Sequence, residues 1–257
     1  VSGTTAQDLT VDNINTTSIN SGQASGRKNL IINGDMQVAQ RGTSSTGTTG
    51  YNTVDRFKYV DTSTDEVPTQ AQVDVAAGTT PYTLGFRKAY KITNGNQTSG
   101  AQAATRVRFG QDIEAQNIAQ SGWNNKSTSS FITLSFWVKS SVAQNFYGHT
   151  KSHGGTQQNY AFETGSLTAD TWTKITKTIP GAANVDFATT VDTGLELRID
   201  PFVGTNYTDN SVTLNQWYQN DGTKIHPDMP STWYTTNDAT FEITGVQLEV
   251  GSTATDF

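Results

Sequence analysis

The sequence predicts an all-β protein: a two-sheet antiparallel β-sandwich of the jelly-roll kind, preceded by an extended N-terminal arm. Composition is the first observation behind this. Of 257 residues, 43 are Thr, 20 Ser, 19 Asn and 17 Gln, and only 33% are hydrophobic. Thr has a stiff, branched Cβ that suits extended backbone on a half-buried pleated surface. The second observation is short apolar runs that alternate with polar residues, the two-residue period of a strand. The third is the placement of 23 Gly mostly between those runs, as turns require. Helix formers at 3.6-residue spacing are scarce.

Residues 1–28 contain no aromatic, and their sizeable apolar residues are Val1, Leu9, Val11, Ile14 and Ile19. Such a segment cannot bury enough surface alone to offset its ordering entropy. It is read either as a flexible leader or as an extended arm or linker that orders against another chain, with Leu9, Val11, Ile14 and Ile19 as its assembly residues. From Asn29 apolar density rises, and residues 29–257 are read as one domain. Leu30–Ile32 is expected to be a strand closed by an Asn33-Gly34 turn. Gly42–Gly50 reads as a flexible loop. Strands follow at Asp55–Val60, Phe86–Ile92 and Thr105–Phe109, then a short helical turn within Gln111–Ala119. Phe131–Lys139 is the clearest strand, with Ile132, Leu134, Phe136 and Val138 on one face. Leu195, Leu197 and Ile199 mark another, with Glu196, Arg198 and Asp200 opposite. In the last strand Phe241 and Ile243 are out of phase with Val246, Leu248 and Val250, so a β-bulge is expected at Thr244-Gly245.

Several function classes are excluded. No run of about 18 apolar residues is present to span a membrane, and no apolar stretch near the N-terminus resembles a signal peptide. A formal charge of −6 with 17 dispersed cations does not suit phosphate-driven nucleic-acid binding. Without Cys there are no disulfides or thiolate sites. The nucleophile-elbow, zinc-protease, phosphate-loop, dinucleotide and EF-hand motifs are all missing, which argues against an enzyme. A hydrolase would need paired carboxylates; Asp55, Glu114, Glu163, Glu196, Asp200 and Glu242 are available, but sequence does not pair them. His149 and His153 precede Gly154-Gly155 and read as a loop pair without function, and His226 as a loop residue.

Aromatic residues are more informative, because sugar faces stack on rings while flanking polar groups meet hydroxyls. Trp137 and Lys139 lie opposite the core face of their strand, and Arg198 has the same relation to its own. These three are candidates to line a glycan groove, the alternative being that Trp137 sits beneath a covering loop. Trp217, Tyr218, Trp233 and Tyr234 fall, like Trp123, in polar loop-like stretches. They are further candidates for a glycan or protein contact surface, or anchors of long loops.

Four motifs carry a family resemblance: NLIINGDMQVAQRG at Asn29–Gly42, TVDRF at Thr53–Phe57, FITLSFWVKS at Phe131–Ser140 and FEITGVQLEVGSTATDF at Phe241–Phe257. In this order and spacing, over residues 29–257, the chain resembles the jelly-roll domain of phage tail-fibre and related virion proteins, akin to carbohydrate-binding modules. The resemblance implies a non-catalytic virion protein on the phage surface. It would be a homotrimer joined to other virion proteins through its arm, binding a bacterial surface glycan or receptor. A capsid decoration, head-fibre or tail-adaptor protein, and a carbohydrate-binding module of a cellular enzyme, are the other readings. No cofactor is expected, although related modules hold a structural calcium near the first and last strands, where Asp35 and Glu249 fall in the matching motifs.

Overall fold

The computed structural model describes residues 29–257, together with the backbone of a two-residue ladder, β1 (Ser18–Ile19) paired antiparallel with β2 (Gly22–Gln23). Leu9, Val11 and Ile14 lie outside the described residues. Two antiparallel sheets make the body. Seven strands form one: β14 (Trp217–Gln219), β11 (Gln158–Ser166), β10 (Asn145–Ser152), β13 (Thr193–Val203), β8 (Arg106–Glu114), β5 (Lys58–Thr62) and β4 (Thr49–Gly50), in that spatial order. Six form the other: β12 (Thr173–Pro180), β9 (Phe131–Ser140), β15 (Thr240–Val250), β7 (Lys88–Thr93), β6 (Thr69–Asp74) and β3 (Ser44–Ser45).

The core lies between the two sheets. Ile132, Leu134, Phe136 and Val138 of β9 are fully buried, as are Phe241, Ile243 and Leu248 of β15. From the facing sheet come Val107, Phe109 and Ile113 of β8 and Leu195, Leu197 and Ile199 of β13. Aromatic edges fill the centre, Phe109 meeting Tyr90 at 4.9 Å and Phe241 meeting Phe146 at 4.9 Å. Each such ring removes a large apolar area from water, which is how a chain so poor in aliphatic residues holds a core.

The bulge falls where the apolar phase change predicts it. Between Thr244 and Gln247 the pairing of β15 with β9 slips. Gly245 there has φ +62°, and a Cβ on it would sit 2.6 Å from the Phe86 ring. Leu30–Ile32, by contrast, is a series of bends rather than a strand. Its partners are mostly side chains. Asn29 Nδ2 donates to the Val246 carbonyl and Asn29 Oδ1 accepts from Leu248 N. The Gln111 amide brackets Ile32, accepting from its N–H and donating to its C=O. One backbone bond, Leu30 N to Leu248 O at 2.9 Å, joins this segment to β15. The sequence also places the helical turn early: β8 continues to Glu114, and the helix α2 is Ala115–Ala119. Two further single-turn helices, α1 (Thr80–Thr83) and α3 (Thr232–Thr235), sit in connections.

Candidate functional site

Trp137, Lys139 and Arg198 do not form one groove. β9 belongs to the six-stranded sheet and β13 to the seven-stranded one, so their outward faces point to opposite sides of the sandwich. Trp137 is partly buried and packs, with Trp172, against a small outer cluster of Val75, Phe86 and Ala89. Lys139 lies over the Trp172 ring at 5.2 Å and pairs with Glu242 at 3.1 Å, its direct cross-strand neighbour on β15. No open aromatic platform is left there.

The loop aromatics are anchors rather than a displayed surface. Trp233 and Tyr234 are buried; the Trp233 indole donates to the Thr240 carbonyl and the Tyr234 hydroxyl to Gln97 Oε1. Trp217 rests against Tyr160 and donates to the Pro180 carbonyl at 2.7 Å. The Tyr218 hydroxyl donates to the Ile225 carbonyl, and burial pushes its pKa up to about 12. A polar loop sequence conceals such anchors because the ring is buried while its neighbours stay wet.

The outer face of the seven-stranded sheet carries a network of ion pairs. Strand register sets Tyr147, His149 and Lys151 of β10 opposite Asp200, Arg198 and Glu196 of β13, and Asp112 of β8 opposite Glu196. Arg198 is nearly buried, pairing with Asp112 at 2.5 Å and with Glu196 at 3.4 Å. Lys151 and His153 reach the same Glu196 oxygen at 3.4 Å each. Asp200 faces Arg108 Nε at 3.1 Å, His149 Nδ1 at 3.2 Å and His226 Nε2 at 3.3 Å. Burial opposes ionisation of Asp200, but the Arg108 charge and the histidine contacts hold its carboxyl well below the usual range. Glu196 is likewise lowered against burial by His149, His153 and Arg198. All three histidines of the chain thus reach this face: His149 lies on β10 rather than in the expected loop, while His153, just past the strand, and His226 lie outside the strands as expected. His149 and His153 come to one side because residues four apart on extended backbone share a face. His226 arrives from the segment 204–230, which folds over this end of the sheet and stacks the His226 ring on Tyr147 at 5.0 Å.

At the far edge of the same face a pocket of about 310 Å³ opens between Arg41, Tyr51, Arg56, Asp112, Glu114, Val191 and Thr193. Tyr51 is 38% exposed, one of two exposed aromatic rings among the described residues together with Phe257. Burial and the adjacent Asp112 carboxylate raise the Tyr51 phenol, against the pull of Arg198 and Arg56. Arg56 has φ +72°, a left-handed conformation unusual for a residue with a long side chain. Its guanidinium lies 3.9 Å from Glu114, while Asp55 takes Arg41 at 3.7 Å. Sequence reasoning missed this pocket apart from Glu114 as an unpaired carboxylate. The available signal was one aromatic, Tyr51, immediately after the Gly42–Gly50 loop and bracketed by Arg41 and Arg56. A second, wider recess of about 740 Å³ lies along the segment 211–224 beside Tyr218, lined mainly by amides and hydroxyls.

Asp35 is partly buried beside the Asn33–Met36 turn. Glu249 accepts from Thr255 through both carboxylate oxygens, at 2.7 and 2.9 Å. Among the described residues no group of three or more His, Asp or Glu is arranged to hold a metal ion.

The chain matches no protein-family model and no curated protein sequence. Solved structures similar to it include the N-terminal cellulose-binding domain of a Cellulomonas fimi β-1,4-glucanase, at 11% identity and a TM-score of 0.39, covering 84% of this chain and 100% of that one. A family 11 carbohydrate-binding module from Clostridium thermocellum, solved with a mixed-linked tetrasaccharide, has 10% identity and a TM-score of 0.36, covering 80% and 98%. A family 61 module in complex with β-1,4-galactotriose has 8% identity and a TM-score of 0.39, covering 87% and 99%.

Proposed function

We propose that the chain is a non-catalytic glycan-binding protein of a phage virion, a tail-fibre or spike subunit whose sandwich holds a bacterial surface sugar. The observation that carries glycan binding is the exposed Tyr51 ring in a polar pocket. An aromatic face for sugar C–H groups and flanking charged groups for hydroxyls are what such a ligand requires. The virion assignment is supported by the four motifs at Asn29–Gly42, Thr53–Phe57, Phe131–Ser140 and Phe241–Phe257.

The absence of catalysis is supported by how the carboxylates are used. Asp55 accepts from Gln40 N, Glu114 from Gln116, Glu163 from Asn145, and Glu242 pairs with Lys139. Glu196 and Asp200 lie in the charge network described above. Each is engaged within the fold; Glu114 lines the Tyr51 pocket together with Asp112, which is held by Arg198.

Binding of purified protein to permissive host cells, and its competition with virions, tests the reading. Wild-type protein should adsorb, and Tyr51→Ala should lose adsorption while melting within about 2 °C of wild type, as an exposed substitution does. Equal adsorption by Tyr51→Ala would place recognition elsewhere. Assembly in this reading is a homotrimer through the arm, with Leu9→Asp combined with Val11→Asp lowering the molar mass in light scattering. An unchanged mass would remove the arm as the assembly element.

A further inference from the structure

We infer that the Tyr51 pocket selects a carboxylate-bearing sugar, so that the glycan it takes is acidic, of the uronic-acid type. The inference rests on the glycan reading above and narrows it to a ligand class. Formal charge does not decide the matter, since Arg41, Arg56 and Arg198 are matched by Asp55, Asp112 and Glu114. Unsatisfied bonding capacity does. The acids are supplied: Asp112 is held by Arg198 at 2.5 Å, Glu114 accepts from Gln116 at 2.9 Å, and Asp55 accepts from Gln40 N at 3.1 Å. The two guanidiniums are not. Their nearest carboxylates stand at 3.7 and 3.9 Å, beyond hydrogen-bond reach, and their side chains are 59% and 45% exposed. Two planar donor forks with free N–H groups therefore face a pocket beside an exposed ring.

A guanidinium binds a carboxylate through two parallel hydrogen bonds that a hydroxyl cannot match, and it is weakly hydrated enough to exchange water for that partner. The left-handed backbone at Arg56 is a second, separate observation. That conformation is unfavourable for Arg, and the side chain lines the pocket with its nearest carboxylate on Glu114 rather than on the adjacent Asp55. Asp112 and Glu114 also line the pocket, Glu114 within 3.9 Å of Arg56, and disfavour a carboxylate placed anywhere but against the two guanidiniums. Exposed Val191 completes the rim with an apolar contact for the ring face of the sugar.

The test is binding of the full chain to a panel of acidic polysaccharides (polygalacturonate, alginate, hyaluronan and polysialic acid), each beside its carboxyl-reduced form and neutral glucans. At least one acidic polymer should bind, its reduced form about tenfold or more weakly, and binding should weaken as salt rises. Arg41→Gln and Arg56→Gln should each cost a similar factor on the acidic polymer, with melting temperatures near wild type. If a neutral or reduced glycan binds as well and only Tyr51→Ala abolishes it, the acidic-sugar inference fails and the glycan reading stands. If no polymer of either kind binds, both fail.

Discussion

Asp61 shows how one buried side chain sets a pH dependence. It lies on the inward side of β5 with 4% exposure, its carboxylate accepting from the Thr64 hydroxyl. Burial raises its pKa from 3.8 to about 6. An acid raised in the folded state contributes its full stabilising effect below its unfolded pKa and loses it as pH climbs through the folded value. At neutral pH the ionised group therefore destabilises the sandwich by roughly 2 kcal/mol, after allowance for partial screening by solvent. Asp61→Asn keeps an acceptor for Thr64 and removes the charge. We expect it to melt several degrees higher than wild type at pH 7.5, with the gap closing as pH falls from about 6 to about 4. A constant gap across that range, followed by calorimetry, would show that ionisation is not the cause. Arg56 makes the complementary case. Arg56→Gly relieves a left-handed conformation and should leave stability equal or raise it by about 1 kcal/mol, while glycan binding falls. Denaturant midpoints and binding isotherms on the same samples separate the two effects.

Elements in this fold are held by what crosses them. The seven-stranded sheet has a line of ions along β10 and β13, and the segment 204–230 is tied to it at His226 and Ile225. Asp200 is the junction. Replacing it with Asn strands Arg108, itself nearly buried, without a counter-charge, which typically costs about 3–5 kcal/mol, or about half of a domain's stability. Asp200→Asn should therefore lower the urea midpoint markedly. It should also release the segment 204–230, read as faster amide exchange at residues 207–226 than in the core strands. Uniform exchange throughout would mean that the segment is held by its own hydrogen bonds. At the bulge, Gly245→Ala meets both a positive φ and the Phe86 ring, and should cost about 1–3 kcal/mol in the same denaturation experiment.

Across the whole molecule, legibility in the sequence follows how local each cause is. β9 and β13 are plain because Ile132–Val138 and Leu195–Ile199 alternate without interruption, and each strand's inward face is decided by its own residues. The β15 bulge is plain for the same reason, since one extra residue changes the phase. The Leu30–Ile32 segment misleads because its partners, Gln111 and Leu248, are remote in the chain and one contributes a side chain where a strand would contribute backbone. The site is harder still. Which outward faces belong together depends on sheet membership, and nothing in Trp137 or Arg198 says that their strands lie in different sheets. Tyr51 is inconspicuous because it follows a loop of Gly, Ser and Thr, and its neighbours Arg41 and Arg56 join it only through folding.

The position of β15 has a consequence for biosynthesis. It is the last of the described strands to leave the ribosome, yet it lies third in the six-stranded sheet, between β9 and β7. Until it emerges, β9 and β7 each present an open edge with unpaired N–H and C=O groups, and Asn29 lacks the strand it clasps. Nascent chains at that stage are two unfinished half-sheets with sticky borders. A stop introduced just before Thr240 should therefore yield insoluble product rather than a smaller folded domain, and slow elongation over the preceding residues should increase reliance on chaperones. In this topology the decisive act of folding waits for the final strand to slot into the middle.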